Sequence, residues 1–360
     1  MIKNTIEHYS IHNILKFQVI DNRLNLHKSL VDVTGRYKAF RQTTFEEPDI
    51  IFEIGNFIPD IQNCSVLDGE YYVKQNYLYQ KNKNHKLGGY ISFEASGLED
   101  EVIRIKINAN LTGMPFIAGE VIDFFIHYAL IKRGYSLLHA SGLIFNETGI
   151  VFSGRGGGGK TTIALGAIAK NKYKFLGDNF IICHKGKIYS FISDLNMFGY
   201  NLRNEVWTKF TQKEKALFKL KIWLYKLTLG YIKIFTPISP LRLFPGSIQS
   251  EGNLSKFFIL TTGPHYQIST ADRNDIISRM VSNIKLEFFS FVRHTEEYRC
   301  LFPNSAFSKT WDNYRCLLEI NLPKEISYSS VIMPKKISPL EVENILQVAL
   351  QKSFTHSEGN

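Results

Sequence analysis

The sequence predicts an α/β domain built around a glycine-rich loop, preceded by a β-rich N-terminal region. Three observations carry this. The run Gly154-Arg155-Gly156-Gly157-Gly158-Gly159-Lys160-Thr161 sits between an apolar run, Ile150-Val151-Phe152-Ser153, and a segment of helical character. Short apolar runs broken by turn residues fill the first 115 residues or so. A chain of 360 residues, 44% hydrophobic and 21% charged, has the composition of a globular protein and is long enough for two cores. The expected division is a β-rich region over 1–115, an α/β phosphate-loop domain over 116–352 and a frayed tail over 353–360.

The N-terminal strands are read from Ile50-Ile51-Phe52-Glu53-Ile54, Tyr71-Tyr72-Val73 and Val102 to Ile107, with turns at Leu67-Asp68-Gly69 and Lys86-Leu87-Gly88-Gly89. Nothing catalytic stands out among them. From Phe116 to Lys132 the apolar residues Ile117, Val121, Phe124, Phe125, Tyr128 and Ile131 recur as on one helical face, and Gly134 ends the run. Tyr135 to Phe145 reads as a strand, Asn146 to Gly149 as a turn, Ile150 to Ser153 as a strand and Thr161 to Lys170 as a helix. After Lys174-Phe175-Leu176-Gly177-Asp178 comes a hairpin, Phe180 to Cys183 and Ile188 to Phe191, turning at Lys185-Gly186. Ser338-Pro339-Leu340-Glu341 opens a last helix whose apolar face is Val342, Ile345, Leu346 and Ala349.

Lys plus Arg number 43 and Asp plus Glu 33, a formal charge of +10. The excess favours anionic partners, among them nucleotides and acidic lipid. No nucleic-acid-binding motif accompanies it, so nucleic acid is not expected as a partner. Cys64, Cys183, Cys300 and Cys316 are scattered, without zinc spacing. No signal-peptide core opens the chain and no window offers the ~20 uninterrupted apolar residues of a spanning helix. The expected location is cytoplasmic.

A phosphate-binding loop must replace the water around a large anion with many donors. Glycines Gly154, Gly156, Gly157, Gly158 and Gly159 remove side chains so that backbone N–H groups, those of Arg155 included, converge on one oxygen cluster. The following helix adds the positive end of its dipole, and its first turn includes Thr162. Lys160 is placed to reach the β- and γ-phosphates of a nucleoside triphosphate, ATP, and the Thr161 hydroxyl to coordinate Mg²⁺. The motif specifies nucleotide, not reaction. Asp178, at the end of an apolar run past the loop, is the candidate for taking a proton from an acceptor hydroxyl or for sharing the metal. His139 lies in an apolar strand upstream, where an isolated histidine is more often a core residue.

Together, Leu138-His139-Ala140-Ser141-Gly142, Gly149 to Gly154, Gly159-Lys160-Thr161-Thr162 and Phe175-Leu176-Gly177-Asp178-Asn179 resemble the kinase domain of the HPr kinase/phosphorylase family, whose fold is related to that of phosphoenolpyruvate carboxykinase. The resemblance covers residues 116 to 195 and is closest to diverged HPr-kinase-like members. It implies a P-loop kinase of HPr-kinase-like type that passes phosphate from ATP with Mg²⁺ to a hydroxyl, usually of serine. It gives His139 and Asp178 as active-site residues, Lys160 and Thr161 as phosphate and Mg²⁺ ligands, and a homo-oligomer as the assembly. The chain departs from the family at Asn179, where a second acidic residue is usual, and at Thr162, where protein-phosphorylating members have glutamate. It also lacks the later Arg-Gly signature tied to phosphorolysis. The acceptor is therefore a protein, a peptide or a metabolite other than HPr. A nucleotide-responsive regulatory protein without transfer chemistry is the alternative.

The stretch from Lys213 to Phe235 places Lys213, Lys215, Lys219, Lys221, Lys226 and Lys233 among Leu217, Leu220, Trp223, Leu224, Leu227 and Leu229. The expectation is an amphipathic helix with its apolar side packed on the domain and its lysines in water. A lid and a membrane-surface helix are the sharper readings, and weak or no membrane recruitment is expected.

Overall fold

Alternation along Leu15–Asp21, Ile50–Ile54 and Ile103–Ala109 buries every second side chain, and these strands form the centre of the N-terminal sheet. The computed structural model describes residues 5–44, 47–84, 88–169, 172–197, 204–227, 236–335 and 337–350. The tail 353–360, together with Leu229 and Lys233, lies outside them. The chain is mixed α/β with two large mixed sheets. By backbone contacts it forms two compact units, Met1–Leu137 with Ile284–Glu319, and Leu138–Asn283 with Ile320–Asn360. The division therefore falls past the helix that ends at Lys132, not at residue 115, and a later segment returns to the first unit.

In the first unit the three central strands run parallel. Antiparallel strands complete the nine-stranded sheet, with Thr5–Ile11 and Arg41–Gln42 on one side and Tyr90–Ser96, Tyr77–Asn84, Tyr71–Lys74 and Ser65–Leu67 on the other. The turn at Asp68-Gly69 is left-handed at both residues, as a tight hairpin turn requires. The helical stretch Met114–Lys132 lies against Leu15–Asp21 and Ile50–Ile54.

One apolar face was expected on that stretch, yet every residue from Asp123 to Ile131 is buried. The reason is the returning segment. Phe124 stacks on Phe291 at 3.7 Å, and Tyr128 meets Phe307 edge-on at 5.3 Å. The stretch is long and apolar enough to cross a membrane by length and composition, unlike the sequence expectation, but 78% of its apolar window is buried inside the protein. Two polar groups share the burial. Asp123 pairs with Arg36 at 2.7 Å and accepts from the Tyr37 hydroxyl at 2.6 Å. His127 lies among Phe124, Phe288, Trp311 and Tyr314, and neither ring nitrogen has a hydrogen-bond partner among the described residues. Burial pushes its pKa down to about 3, so the imidazole is neutral.

The sheet of the second unit runs Lys174–Gly177, Ala140–Phe145, Thr148–Gly154, Glu251–Gly263. The last strand is parallel to Thr148–Gly154 on one side and to Ser327–Pro334 on the other. Its N-terminal residues take Lys187–Ser190, whose hairpin partner is Ile181–His184. Lys185 and Gly186 at that turn have φ of +45° and +77°. Helix Lys160–Ala169 packs beside helix Pro339–Leu350, and Val342, Ile345, Leu346 and Ala349 are buried in the shared core. The expected capping box is present: Ser338 N–H donates to Glu341 at 2.6 Å and Glu341 N–H to the Ser338 hydroxyl at 3.3 Å.

The basic stretch is helical over Gln212–Leu227, but its packing differs from expectation: among its described residues only Phe218 is fully buried. Phe218 meets Phe210 and Trp207, and Ile222 one turn on joins the same core. Leu217, Leu220, Trp223 and Leu227 are exposed. At about 100° per residue, Phe218 and Ile222 project opposite to the leucines, so one helix cannot bury both sets against a single core.

Candidate functional site

The strand Thr148–Gly154 ends where the glycine loop begins, between strands on both sides. That crowding selects Gly154, since a Cβ there would lie 2.4 Å from the Leu260 carbonyl oxygen. Gly159, at φ +95°, makes the left-handed step into helix Lys160–Ala169. Arg155, Gly156 and Gly157 are exposed at the tip of the loop while Gly158 is buried beneath it. Thr162 is buried in the first helical turn.

Four of the residues picked out in the sequence meet here. Lys160 points back under the loop, donating to the carbonyls of Gly154 at 2.5 Å and Arg155 at 3.5 Å, with its Nζ 3.2 Å from His139 Nε2. Burial, reinforced by the charges of Lys160 and Arg155, holds the His139 pKa well below its ordinary value. A neutral ring carrying its proton on Nδ1 can accept from the Lys160 ammonium. The backbone there is fixed from two sides, by Ser153 Oγ donating to the His139 carbonyl at 2.8 Å and by Ala140 N–H donating to Asn179 O at 3.1 Å.

Asp178 is nearly buried, and its carboxylate is held by two hydroxyls. Thr161 donates to Oδ2 at 2.7 Å and Ser141 donates to Oδ1. Sequence reasoning quoted Ser141 without giving it a role. His139 sits at the bend between strands Ser136–Leu138 and Ala140–Phe145, and Ser141 is the second residue of the latter, so the single strand expected over Tyr135 to Phe145 is broken at the histidine. Asn179 adopts φ +79°, a conformation that asparagine tolerates better than most residues with a side chain. Backbone geometry therefore gives a reason for asparagine at this position, separate from charge. Thr161 Oγ1 and Asp178 Oδ2 are adjacent hard oxygens, the donor type Mg²⁺ takes when waters and phosphate oxygens complete its octahedron. No cluster of three or more His, Cys, Asp or Glu suited to a metal occurs among the described residues.

A cleft of about 490 Å³ adjoins the loop, lined by Gly154 to Gly156, the strand end Ile259 to Thr262, and Ser278, Arg279, Ser282 and Asn283 from the helix starting at Arg273. Arg279 donates to Thr261 Oγ1 at 2.5 Å and stands 3.7 Å from Asp275. These residues escaped sequence reasoning because they are about a hundred positions or more from the loop and carry no motif. Only the parallel pairing of Glu251–Gly263 with Thr148–Gly154 brings their carboxyl ends together, the usual place for a ligand in an open α/β sheet.

No family model and no curated protein matches this chain. The solved structure of the Hpr(Ser) kinase/phosphatase from Coxiella burnetii is similar over 59% of this chain and 95% of its own, at 10% identity and a TM-score of 0.26. At that score the likeness is slight.

Proposed function

We propose that this protein transfers the γ-phosphoryl group of ATP, with Mg²⁺, to the hydroxyl of a serine-bearing protein or peptide or of a small metabolite. The observation that carries the reading is the Asp178 carboxylate, held by Ser141 and Thr161 beside the glycine loop and Lys160. When nucleotide binds, its phosphates replace the loop carbonyls as partners of Lys160, and the backbone N–H groups of the loop supply the remaining donors. His139, neutral and fixed by its backbone, keeps the ammonium aimed. Thr161 and Asp178 would hold Mg²⁺, which would supply neutralisation of the phosphate charge. Asp178 accepts the proton of the incoming hydroxyl as the new P–O bond forms and the bond from the γ-phosphorus to the bridging oxygen breaks, releasing ADP. The cleft beside Arg279 offers room for the nucleoside. The reaction belongs in the cytoplasm, where Mg-ATP is abundant, and all four cysteines are free thiols.

The deciding experiment incubates the protein with γ-labelled ATP, Mg²⁺ and a lysate of the native organism, in wild-type and Asp178→Asn forms. General bases contribute on the order of 10²–10⁴-fold. Transfer should fall by that much in the variant while Mg-ATP affinity stays within about tenfold, roughly 1.4 kcal/mol. Undiminished transfer in the variant refutes the role of Asp178. Asn179 supplies one carboxylate fewer than a paired acidic site, and this favours a second reading, a nucleotide-binding regulator. Binding without transfer in either form selects it.

A further inference from the structure

We propose that helix Gln212–Leu227 is a membrane-surface element that lays its outer face on an anionic lipid bilayer. This stands apart from the phosphoryl-transfer reading and survives its failure. The helix is two-sided. Phe218 and Ile222 fasten one side to the core of the second unit. On the opposite side the exposed residues Leu217, Leu220, Trp223 and Leu227 fall within an arc of about 120° at about 100° per residue. Trp223 is 57% exposed and Leu227 64%.

Four lysines lie outside that arc, and Lys213 falls within it at the N-terminal end of the helix. The helix carries five lysines and one glutamate, Glu214, which is engaged by Arg242 at 2.7 Å. Lys221 borders the arc on one edge and Lys219, followed by Lys226, on the other. Lysine stems reach past an apolar stripe while their ammonium groups stay at headgroup level, and a tryptophan ring favours the same interface. Charge decides the occupant. A second copy of this chain would oppose lysine to lysine across the stripe, with no acidic side chain on that face to offset them. An anionic bilayer supplies both the apolar layer and the negative surface, and the net charge of +10 adds long-range attraction.

The test uses the full-length protein with vesicles of phosphatidylcholine alone or mixed with phosphatidylserine. Co-sedimentation should be at least tenfold greater with phosphatidylserine and should fall in high salt, as screening requires. Bromine-labelled acyl chains should quench fluorescence in the wild type and much less in Trp223→Phe. The double variant Leu220→Asp, Trp223→Asp and, separately, Lys219→Glu, Lys226→Glu should each lose at least tenfold in binding. All four positions are exposed, and circular dichroism checks that the fold persists. No binding to phosphatidylserine vesicles overturns the proposal, as does binding untouched by both double variants. A dimer in gel filtration that Leu220→Asp dissolves also overturns it and assigns the face to a second copy.

Discussion

Replacing His127 by Phe should remove an acid-sensitive part of the stability of the first unit. His127 is wholly buried among aromatic rings, and its pKa is pushed from an ordinary 6.5 down to about 3. Between those values the unfolded chain binds a proton that the folded chain refuses. Lowering the pH through that window therefore favours unfolding, and the contribution is complete above about pH 6.5. At pH 5 the deficit is RT ln(1 + 10^1.5), about 2 kcal/mol, and near pH 8 it vanishes. The assay is urea unfolding at pH 8 and pH 5, read from Trp311 with Trp207 and Trp223 changed to Phe, because those two belong to the other unit. The protein that keeps His127 should lose about 2 kcal/mol more than the His127→Phe variant between the two pH values. Taking that difference cancels other titrating groups and any packing cost of the larger ring. Equal losses would refute the account of an enclosed, uncharged imidazole.

Lys160→Ala should lower Mg-ATP affinity roughly ten- to a hundred-fold, from the 1.5–3 kcal/mol typical of hydrogen bonds to charged groups; calorimetry showing equal affinity sinks the assignment of the loop. Gly154→Ala should destabilise the second unit by about 1–3 kcal/mol, because its Cβ strikes the backbone of Leu260 and not a yielding side chain. A thermal midpoint unchanged from wild type would contradict that packing.

The features legible in the sequence are those specified by neighbours along the chain. The glycine loop, the turn at Lys185-Gly186 and the box of Ser338 with Glu341 each need only a few consecutive residues, and the structure has all three. The meeting of His139, Lys160, Thr161 and Asp178 spans 40 positions and was brought into view by the family resemblance, since His139 by itself reads as a core residue. What escaped depends on distant partners. Nothing near Phe124 announces Phe291, so the helix ending at Lys132 looked one-sided. Nothing near Thr261 announces Gly154, so the cleft was invisible. Around Phe218, apolar residues occupy two sides of the helix, and only the core reveals which side it takes.

The interleaved division of the chain also bears on the order in which the protein can be made. The first unit needs residues up to Glu319, and the second closes with the helix ending at Leu350. A ribosome that has produced the whole N-terminal sheet still leaves Phe124 without Phe291 and the strand Glu251–Gly263 without Ser327–Pro334. Neither unit can finish folding in the order of its synthesis, and both wait as unfinished apolar surfaces until the closing segments of the chain emerge. Chaperone dependence during translation is the natural companion of that arrangement. Truncation before Ile284 would remove part of both units, whereas truncation after Glu319 would remove part of the second alone.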